Sequence, residues 1–346
     1  MTALTAALER FFQLRNHGST PRQETLAGLT TFLTMSYIIF VQPAVLSGAM
    51  FGFETGMDFG AITTATCLAA ACGTAIMGLW ARYPIALAPG MGANFFFALT
   101  LIPAAAAAGY GQGWEVALGV VFVSGVLFLL LTISGLRQAL MDAVSPDLKN
   151  GIAVGIGIFI AFIGLRNTGL IVNDPATAVT LNTAFESPDL IVFFFGLLLT
   201  AALHVRRVPG AILWGIAAAT ALTVALYYTL PLMPAAVSEA AVVKESLLMT
   251  RFQMTDTDAG LLGILSLPPS LAPTFFQMDL IGALSVQMLP FIVIFLFIDV
   301  FDTMGTLVAI SELGGLTDPA TGRLERGGQA FMADAGATLG GALLGT

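Results

Sequence analysis

Charge is scarce in this sequence. Of 346 residues only 10% are Asp, Glu, Lys or Arg, while 57% are hydrophobic and the mean hydropathy is +0.90. So few polar side chains cannot cover a water-facing surface, which excludes the soluble enzymes that a chain of this length ordinarily suggests. Positive charge is scarcer still: 13 basic residues stand against 21 acidic ones, a net charge of −8. Nucleic-acid binding relies on clustered Lys and Arg that neutralise phosphates, so no nucleic-acid partner is expected. Cysteine is limited to Cys67 and Cys72, five apart in one apolar run and off a common helical face. A disulfide or a metal site is not expected there. The two histidines, His17 and His204, fall in polar flanks with no other ligand nearby and are read as solvated. Residues 1–25 are polar and basic, with Arg10, Arg15 and Arg22, so no cleavable leader is expected and the first apolar run is retained.

What the sequence has in abundance is apolar runs long enough to cross a bilayer of about 30 Å. Windowed hydropathy places spans near 26–45, 59–80, 84–101, 115–134, 150–165, 189–204, 209–230, 284–310 and 329–346. The expected class is an all-α polytopic membrane protein. Three spans are irregular: the third is interrupted, the fifth is short, and the ninth runs to Thr346. Basic residues follow the cytoplasmic side of membrane proteins. With the N-terminus inside, ten of the thirteen fall on that side, leaving Arg166, Lys244 and Arg251 opposite, which predicts a cytoplasmic N-terminus. A missed or invented span would have scattered them evenly. The Pro-containing, acidic stretch 231–283 reads as an external loop with short helices. Residues 135–149, with Arg137, Asp142, Asp147 and Lys149, read equally well as an amphipathic surface connector or a plain linker. Gly151, Gly155 and Gly157 are spaced as a helix-packing face; Gly155-Ile156-Gly157 is not a nucleotide loop, because no strand precedes it.

Acids inside spans are costly and therefore point to function. Asp299 and Asp302 lie in the eighth span, within Ile298-Asp299-Val300-Phe301-Asp302-Thr303-Met304-Gly305-Thr306, and Asp334 lies early in the ninth. Asp302 follows Asp299 by three and precedes Thr306 by four, so the three share one polar helix face. Two carboxylates this close in a low-dielectric cavity cannot both ionise cheaply, which makes the pair a candidate to hold and release a proton. The alternative for each acid is a hydrogen bond to a neighbouring helix's backbone, strongest as a rival for Asp334. The second constellation is Ala88-Pro89-Gly90-Met91-Gly92-Ala93-Asn94-Phe95-Phe96-Phe97. Pro and two Gly inside an apolar span break the helical ladder, tolerated at membrane depth only where the freed backbone lines a cavity or is buried in protein. A half-helix is expected from about Asn94, whose amides and carboxamide can both donate and accept, with Phe96 or a neighbour supplying a stacking face. The alternative is a packed Pro kink with the Phe rings facing lipid. Asp302-Thr303-Met304-Gly305 is not an aspartic protease motif, since Met304 intervenes and the helix continues.

These motifs carry a resemblance. Glu9-Arg10-Phe11-Phe12 through Arg22, Glu24, Ala27 and Gly28, then Tyr37-Ile38-Ile39-Phe40-Val41-Gln42-Pro43, Ala88 to Asn94, and Phe301-Asp302-Thr303-Met304-Gly305-Thr306 occur in the order seen in the xanthine/uracil (nucleobase–ascorbate) permease superfamily. Within it the chain most resembles the azaguanine-type hypoxanthine/guanine/adenine branch, over essentially its whole length. The resemblance implies a seven-plus-seven inverted-repeat transporter with core and gate domains. Here 1–25 would be a cytoplasmic segment, 26–134 the first core part, 135–230 the first gate part, 231–283 the external loop and 284–346 the second core part. It also implies that the chain stops where the family continues into a tenth span, leaving the second repeat incomplete. The implied substrate contacts are Asp302, Asp299, Asn94, Gly92 and Phe96. Proton coupling would fall to Asp302, Asp299 and Thr306, and support to Gly90 and Asp334. The implied activity is proton-coupled purine uptake at the inner or plasma membrane. No cofactor is expected, the coupling ion being H⁺ with Na⁺ left open, and the partners are a purine base, the bilayer and, compatibly, a second copy of the chain. Rival readings are a sulfate-type anion carrier of the same architecture, an intramembrane hydrolase using the Asp pair as acid and base, and a non-transporting receptor.

Overall fold

Apolar runs without internal charge become helices because the backbone's polar groups must be satisfied within the segment itself. The computed structural model describes residues 9–14, 18–135, 146–208, 210–250, 267–314 and 326–346. Its helices are α1 (Pro21–Met35), α2 (Ile38–Leu46), α3 (Phe59–Ala81), α4 (Met91–Ala107), α5 (Trp114–Ser134), α6 (Pro146–Asn167), α7 (Pro188–Val205), α8 (Ala211–Leu232), α9 (Leu289–Leu313) and α10 (Gly327–Leu344). Among the described residues six segments are long and apolar enough to cross a membrane: Pro21–Leu46, α3, α5, α7, α8 and Leu289–Leu307. These are six of the nine spans read from the sequence, and the protein is an all-α, multi-pass membrane protein. The other three are the irregular ones. The third is a non-helical stretch over 82–90 followed by α4, the fifth is the polar-ended α6, and the ninth is the Gly- and Ala-rich α10.

The chain divides into two compact units. In the unit made of residues 1–37 and 161–267, α7 packs against α8 through small residues: a Cβ added at Gly196 would lie 3.1 Å from the Ala219 Cβ. Beyond α8 the chain forms single helical turns at Ala235–Ser238, Ala241–Lys244 and Leu247–Thr250. Asp189 at the start of α7 holds the last of them, accepting from Leu247 N at 2.7 Å and Leu248 N at 2.9 Å. A two-stranded hairpin, β1 (Ile171–Asp174) with β2 (Ala178–Leu181), sits between α6 and α7, where the sequence reading had only a connection. Four-residue strands are too short for their alternation to stand out, although Ile171, Val172, Val179 and Thr180 are the β-branched types that favour them.

The hairpin turn is built on Asp174. Its carboxylate accepts from Thr177 N, Ala176 N and the Thr177 hydroxyl, in that order of influence, and they hold it below the ordinary Asp range. A lowered carboxylate stabilises above the unfolded-state value and loses that contribution as pH falls through the folded one. The turn is therefore expected to loosen under acid. The protection of the Ala176 and Thr177 amides, measured against their intrinsic exchange rates, should fall on acidification, and Asp174→Asn should remove that fall; an unchanged pH dependence in the variant would refute the assignment.

In the unit made of 38–160 and 268–346, α5 is central and packs against both α10 and α9. Glycines of α5 face its neighbours where they come closest, Gly119 the segment just before α9 and Gly125 α10. A Cβ on Gly119 would lie 2.4 Å from the Asp279 carbonyl oxygen, and one on Gly125 3.1 Å from Leu339. Small residues at such crossings let backbones pack where lipid supplies no hydrophobic drive. This also explains the polarity of α10, whose Ala330, Phe331, Ala333, Ala335, Gly341 and Ala342 are buried in protein rather than presented to lipid. Two apolar clusters flank the interior, one around Phe97, Leu118 and Phe295, the other around Met77, Phe128, Val300 and Phe331.

The packing face read from Gly151, Gly155 and Gly157 finds no partner among the described residues. A Cβ at any of the three would meet no atom within 4 Å. Spacing alone shows that a helix could be approached, not that one approaches. The connector read over 135–149 lies mostly outside the described residues; its last part, from Pro146, opens α6.

Candidate functional site

A cavity of about 240 Å³ opens among α3, α4, α5, α9, α10 and the non-helical stretch before α4, all within the second unit. Each helix contributes one face to it. From α9 come Phe295, Asp299, Asp302, Thr303 and Thr306, and from α10 come Asp334, Ala337, Thr338 and Gly341. Gly90 and the first turns of α4 supply Gly90, Ala93, Asn94 and Phe97. These intervals of three, four and seven are what a helix needs to keep one stripe turned inward. The stretch 85–90 completes the wall with Ile85, Ala86, Leu87, Ala88 and Pro89.

The break in the third span arises from its own residues. After α3 the backbone turns left-handed at Arg82, φ 57°, and helical structure resumes only at Met91, with Gly90 at φ −75° and ψ 111° as its extended cap. Pro84 and Pro89 lack the N–H that a helix would require. The half-helix therefore starts at Met91, three residues before the expected Asn94. Asn94 closes its first turn, its N–H donating to the Gly90 carbonyl oxygen at 3.1 Å, so the N–H groups without an intrahelical partner are those of the residues just before it.

Hydrogen bonds orient the polar groups. Asn94 Nδ2 donates to Gln42 Oε1 at 2.6 Å, and Gln42 is fully buried on α2. Gln42 Nε2 donates to Thr346 Oγ1 at 3.4 Å, which lies 2.8 Å from Thr66 Oγ1. The Thr303 hydroxyl donates to Asp334 Oδ2, so α9 and α10 are joined beside the cavity. Asp299 Oδ2 is buried and has no hydrogen-bond partner among the described residues. Asp302 lies closest to the broken span: a Cβ on Gly90 would stand 3.0 Å from its Oδ2. A cavity so arranged presents acceptor oxygens from Asp299, Asp302 and Asp334 across from the carboxamide and backbone of the half-helix.

The residues singled out in the sequence therefore divide. Asp299, Asp302, Thr306, Asp334, Gly90 and Asn94 all line the cavity. Asp334 takes its hydrogen bond from a side chain on α9 rather than from neighbouring backbone. Gly92 and Phe96 are not among the lining residues. Phe96 turns into the apolar cluster, its ring centroid 6.3 Å from that of Phe291 and 5.6 Å from that of Phe295. The rings on the cavity wall are Phe97 and Phe295. Counting from Gly90 with helical spacing selects residues 93, 94 and 97 and passes over 92 and 96, a signal already present in the sequence. Gln42 was missed as a site residue although it is a buried amide in an apolar span, the criterion applied to the acids. Thr303 and Thr338 were missed because hydroxyls are common in spans and carry no comparable cost.

Comparison with known proteins identifies the family. Residues 22–346 match the Xan_ur_permease model, a permease family. A Methanocaldococcus jannaschii protein named only as a permease is 44% identical over 339 residues, 98% of this chain and 68% of that protein. The guanine/hypoxanthine permease PbuG of Bacillus subtilis is 39% identical over 98% of this chain and 70% of its own length. The adenine permease AdeP of Escherichia coli is 35% identical over 98% and 66%. The chain thus spans about two thirds of the length of the curated relatives it matches. A profile match from residue 22 to 346, relatives above 30% identity over nearly the whole chain, and helices able to cross a membrane lead to one conclusion: the chain belongs to the xanthine/uracil (nucleobase–ascorbate) permease family of membrane transporters.

Proposed function

We propose that this protein is a purine nucleobase permease that takes up hypoxanthine, guanine or adenine by proton symport. One observation carries the reading: two carboxylates of α9, Asp299 and Asp302, share a cavity with Gly90 and Asn94 of the broken span. Relatives named as guanine/hypoxanthine and adenine permeases support the substrate class. A purine offers ring N–H donors, ring-nitrogen acceptors and a flat π-face. Carboxylate oxygens at Asp302 and Asp299 accept the N–H groups, the first turn of α4 complements the ring nitrogens, and Phe97 or Phe295 meets the face. Protonation from outside, with Thr306 beside the acids, favours loading, and proton release to the cytoplasm resets the site. Access alternates as the core parts, 26–134 and 284–346, move against the gate part, 135–230, in a cell membrane with the N-terminus cytoplasmic.

A sulfate-type anion carrier fits less well. An anion site wants a cation or bare helix N-termini, whereas Asp299, Asp302 and Asp334 line this cavity. The deciding experiment is uptake of radiolabelled hypoxanthine, guanine, adenine and sulfate, with and without an inward proton gradient, in cells lacking their own base uptake. The expected result is accumulation of at least one base that collapses with the gradient and is indifferent to sulfate. Base uptake no greater than in cells without the protein would refute the proposal, and base uptake driven by Na⁺ alone would refute the choice of ion.

A further inference from the structure

The stretch from Pro84 to Pro89 forms part of the cavity wall with no helical ladder to satisfy its backbone. At membrane depth each unsatisfied N–H or C=O is costly, so the partners such a stretch finds decide where it sits. Among the described residues its hydrogen bonds are a single pair, both to one hydroxyl. Leu87 N donates to Thr74 Oγ1 at 3.0 Å, and Thr74 Oγ1 donates to the Leu87 carbonyl oxygen at 3.3 Å. Thr64 and Thr66 of α3 also reach beyond their helix, to Pro269 O at 2.9 Å and Thr346 Oγ1 at 2.8 Å, whereas Thr63 and Thr132 spend the hydroxyl on their own helix, donating to Phe59 O and Phe128 O, each at 2.8 Å. That is the usual habit of a helical Thr. Thr74 instead reaches across to a residue thirteen positions on, in a stretch that runs back along the same helix.

The contact lies where three elements meet. At the neighbouring Gly73, an added Cβ would stand 2.9 Å from the Ala337 Cβ of α10 and 3.5 Å from Leu87. Leu87 is three residues before Gly90, which faces Asp302, and seven before Asn94. A slip of the stretch along α3 would therefore shift both of them relative to the α9 carboxylates.

We infer that Thr74 is a positioning residue for the substrate cavity: its hydroxyl sets the register of the unwound stretch on α3 and thereby the height of Gly90 and Asn94 against Asp302. The inference rests on the cavity's being the base site. Its test therefore pairs a readout of the mooring, which is independent of substrate, with a readout of the site. Thr74→Val keeps the shape and removes both hydrogen bonds, whereas Thr74→Ser keeps them. Backbone exchange over 84–90 in the purified protein should quicken about tenfold in Thr74→Val, and the KM for base uptake should rise about tenfold at equal membrane abundance, while Thr74→Ser stays within about threefold on both. If Thr74→Val does not reach the membrane, Thr74→Cys takes its place, its weak thiol giving an intermediate shift on both measures. Unchanged exchange overturns the mooring, and faster exchange with a wild-type KM overturns the positioning role. A wild-type protein that takes up no base refutes the functional reading instead, and the exchange result still reports on Thr74.

Discussion

Asp302→Asn is expected to abolish concentrative uptake of hypoxanthine while the protein still reaches the membrane. Asp302 is the α9 carboxylate that opens onto the cavity against Gly90, with its Oδ2 3.0 Å from where a Cβ on that glycine would be. The amide is nearly the same size, so packing is preserved, but one acceptor oxygen becomes a donor and the proton-binding group is lost. Truncating one side of a charge-assisted hydrogen bond that bound substrate shields from water costs about 2–5 kcal/mol, roughly 30-fold to several-thousand-fold in affinity. Loss of coupling would remove accumulation even where some binding survives. The check is time-resolved uptake with membrane abundance measured by immunoblot, alongside Asp302→Glu, which keeps the charge and is expected to retain partial activity. Accumulation by Asp302→Asn at the wild-type level would exclude Asp302 from both binding and coupling.

The second large effect is expected at Asn94, and it splits into two measurable parts. Asn94 Nδ2 donates to Gln42 Oε1 at 2.6 Å, and Gln42 is fully buried. Asn94→Ala therefore removes a group from the cavity wall and also leaves the Gln42 oxygen without that donor. A buried acceptor so stranded costs about 1–3 kcal/mol of stability. Thermal unfolding in detergent should show a lowered Tm for Asn94→Ala, and hypoxanthine binding should weaken by at least about tenfold, the value of one lost polar contact. Replacing Gln42 as well, as Met, removes the stranded oxygen. The double variant Gln42→Met/Asn94→Ala should recover most of the lost Tm and none of the lost affinity. Recovery of both would mean that Asn94 acts only through packing, and a wild-type Tm in the single variant would mean that the pair carries no stability.

Much of this site was legible in the chain. The eighth span shows its polar face in the intervals between Asp299, Asp302 and Thr306, because a helix repeats every 3.6 residues and the spacing is local. The break before Asn94 was legible for the same reason, since Pro89 and Gly90 act on the backbone of their immediate neighbours. Phe97 rather than Phe96 could have been chosen by the same count. The pairings could not. Gln42 meets Asn94 across 52 positions, Thr303 meets Asp334 across 31, and no periodicity within either segment encodes the partner. Gly119 and Gly125 could be seen as small residues, but only the packed structure shows Asp279 and Leu339 against them. Gly151, Gly155 and Gly157 make the opposite point, for the same kind of spacing there meets nothing within 4 Å.

The sequence by itself determined that this is a membrane protein with costly acids in two spans and a third span that cannot be one helix. Those conclusions follow from solvation and from local backbone geometry, both of which are properties of consecutive residues. Tertiary structure decided which polar groups look at one another. It turned Asn94 toward Gln42, tied Thr303 to Asp334, folded Leu87 back onto Thr74 and set Asp302 beside Gly90. The physical reason is that a hydrogen bond is satisfied by whatever group lies within reach in space. In an apolar interior, where each unpaired group is expensive, the few available partners settle how separate helices dock.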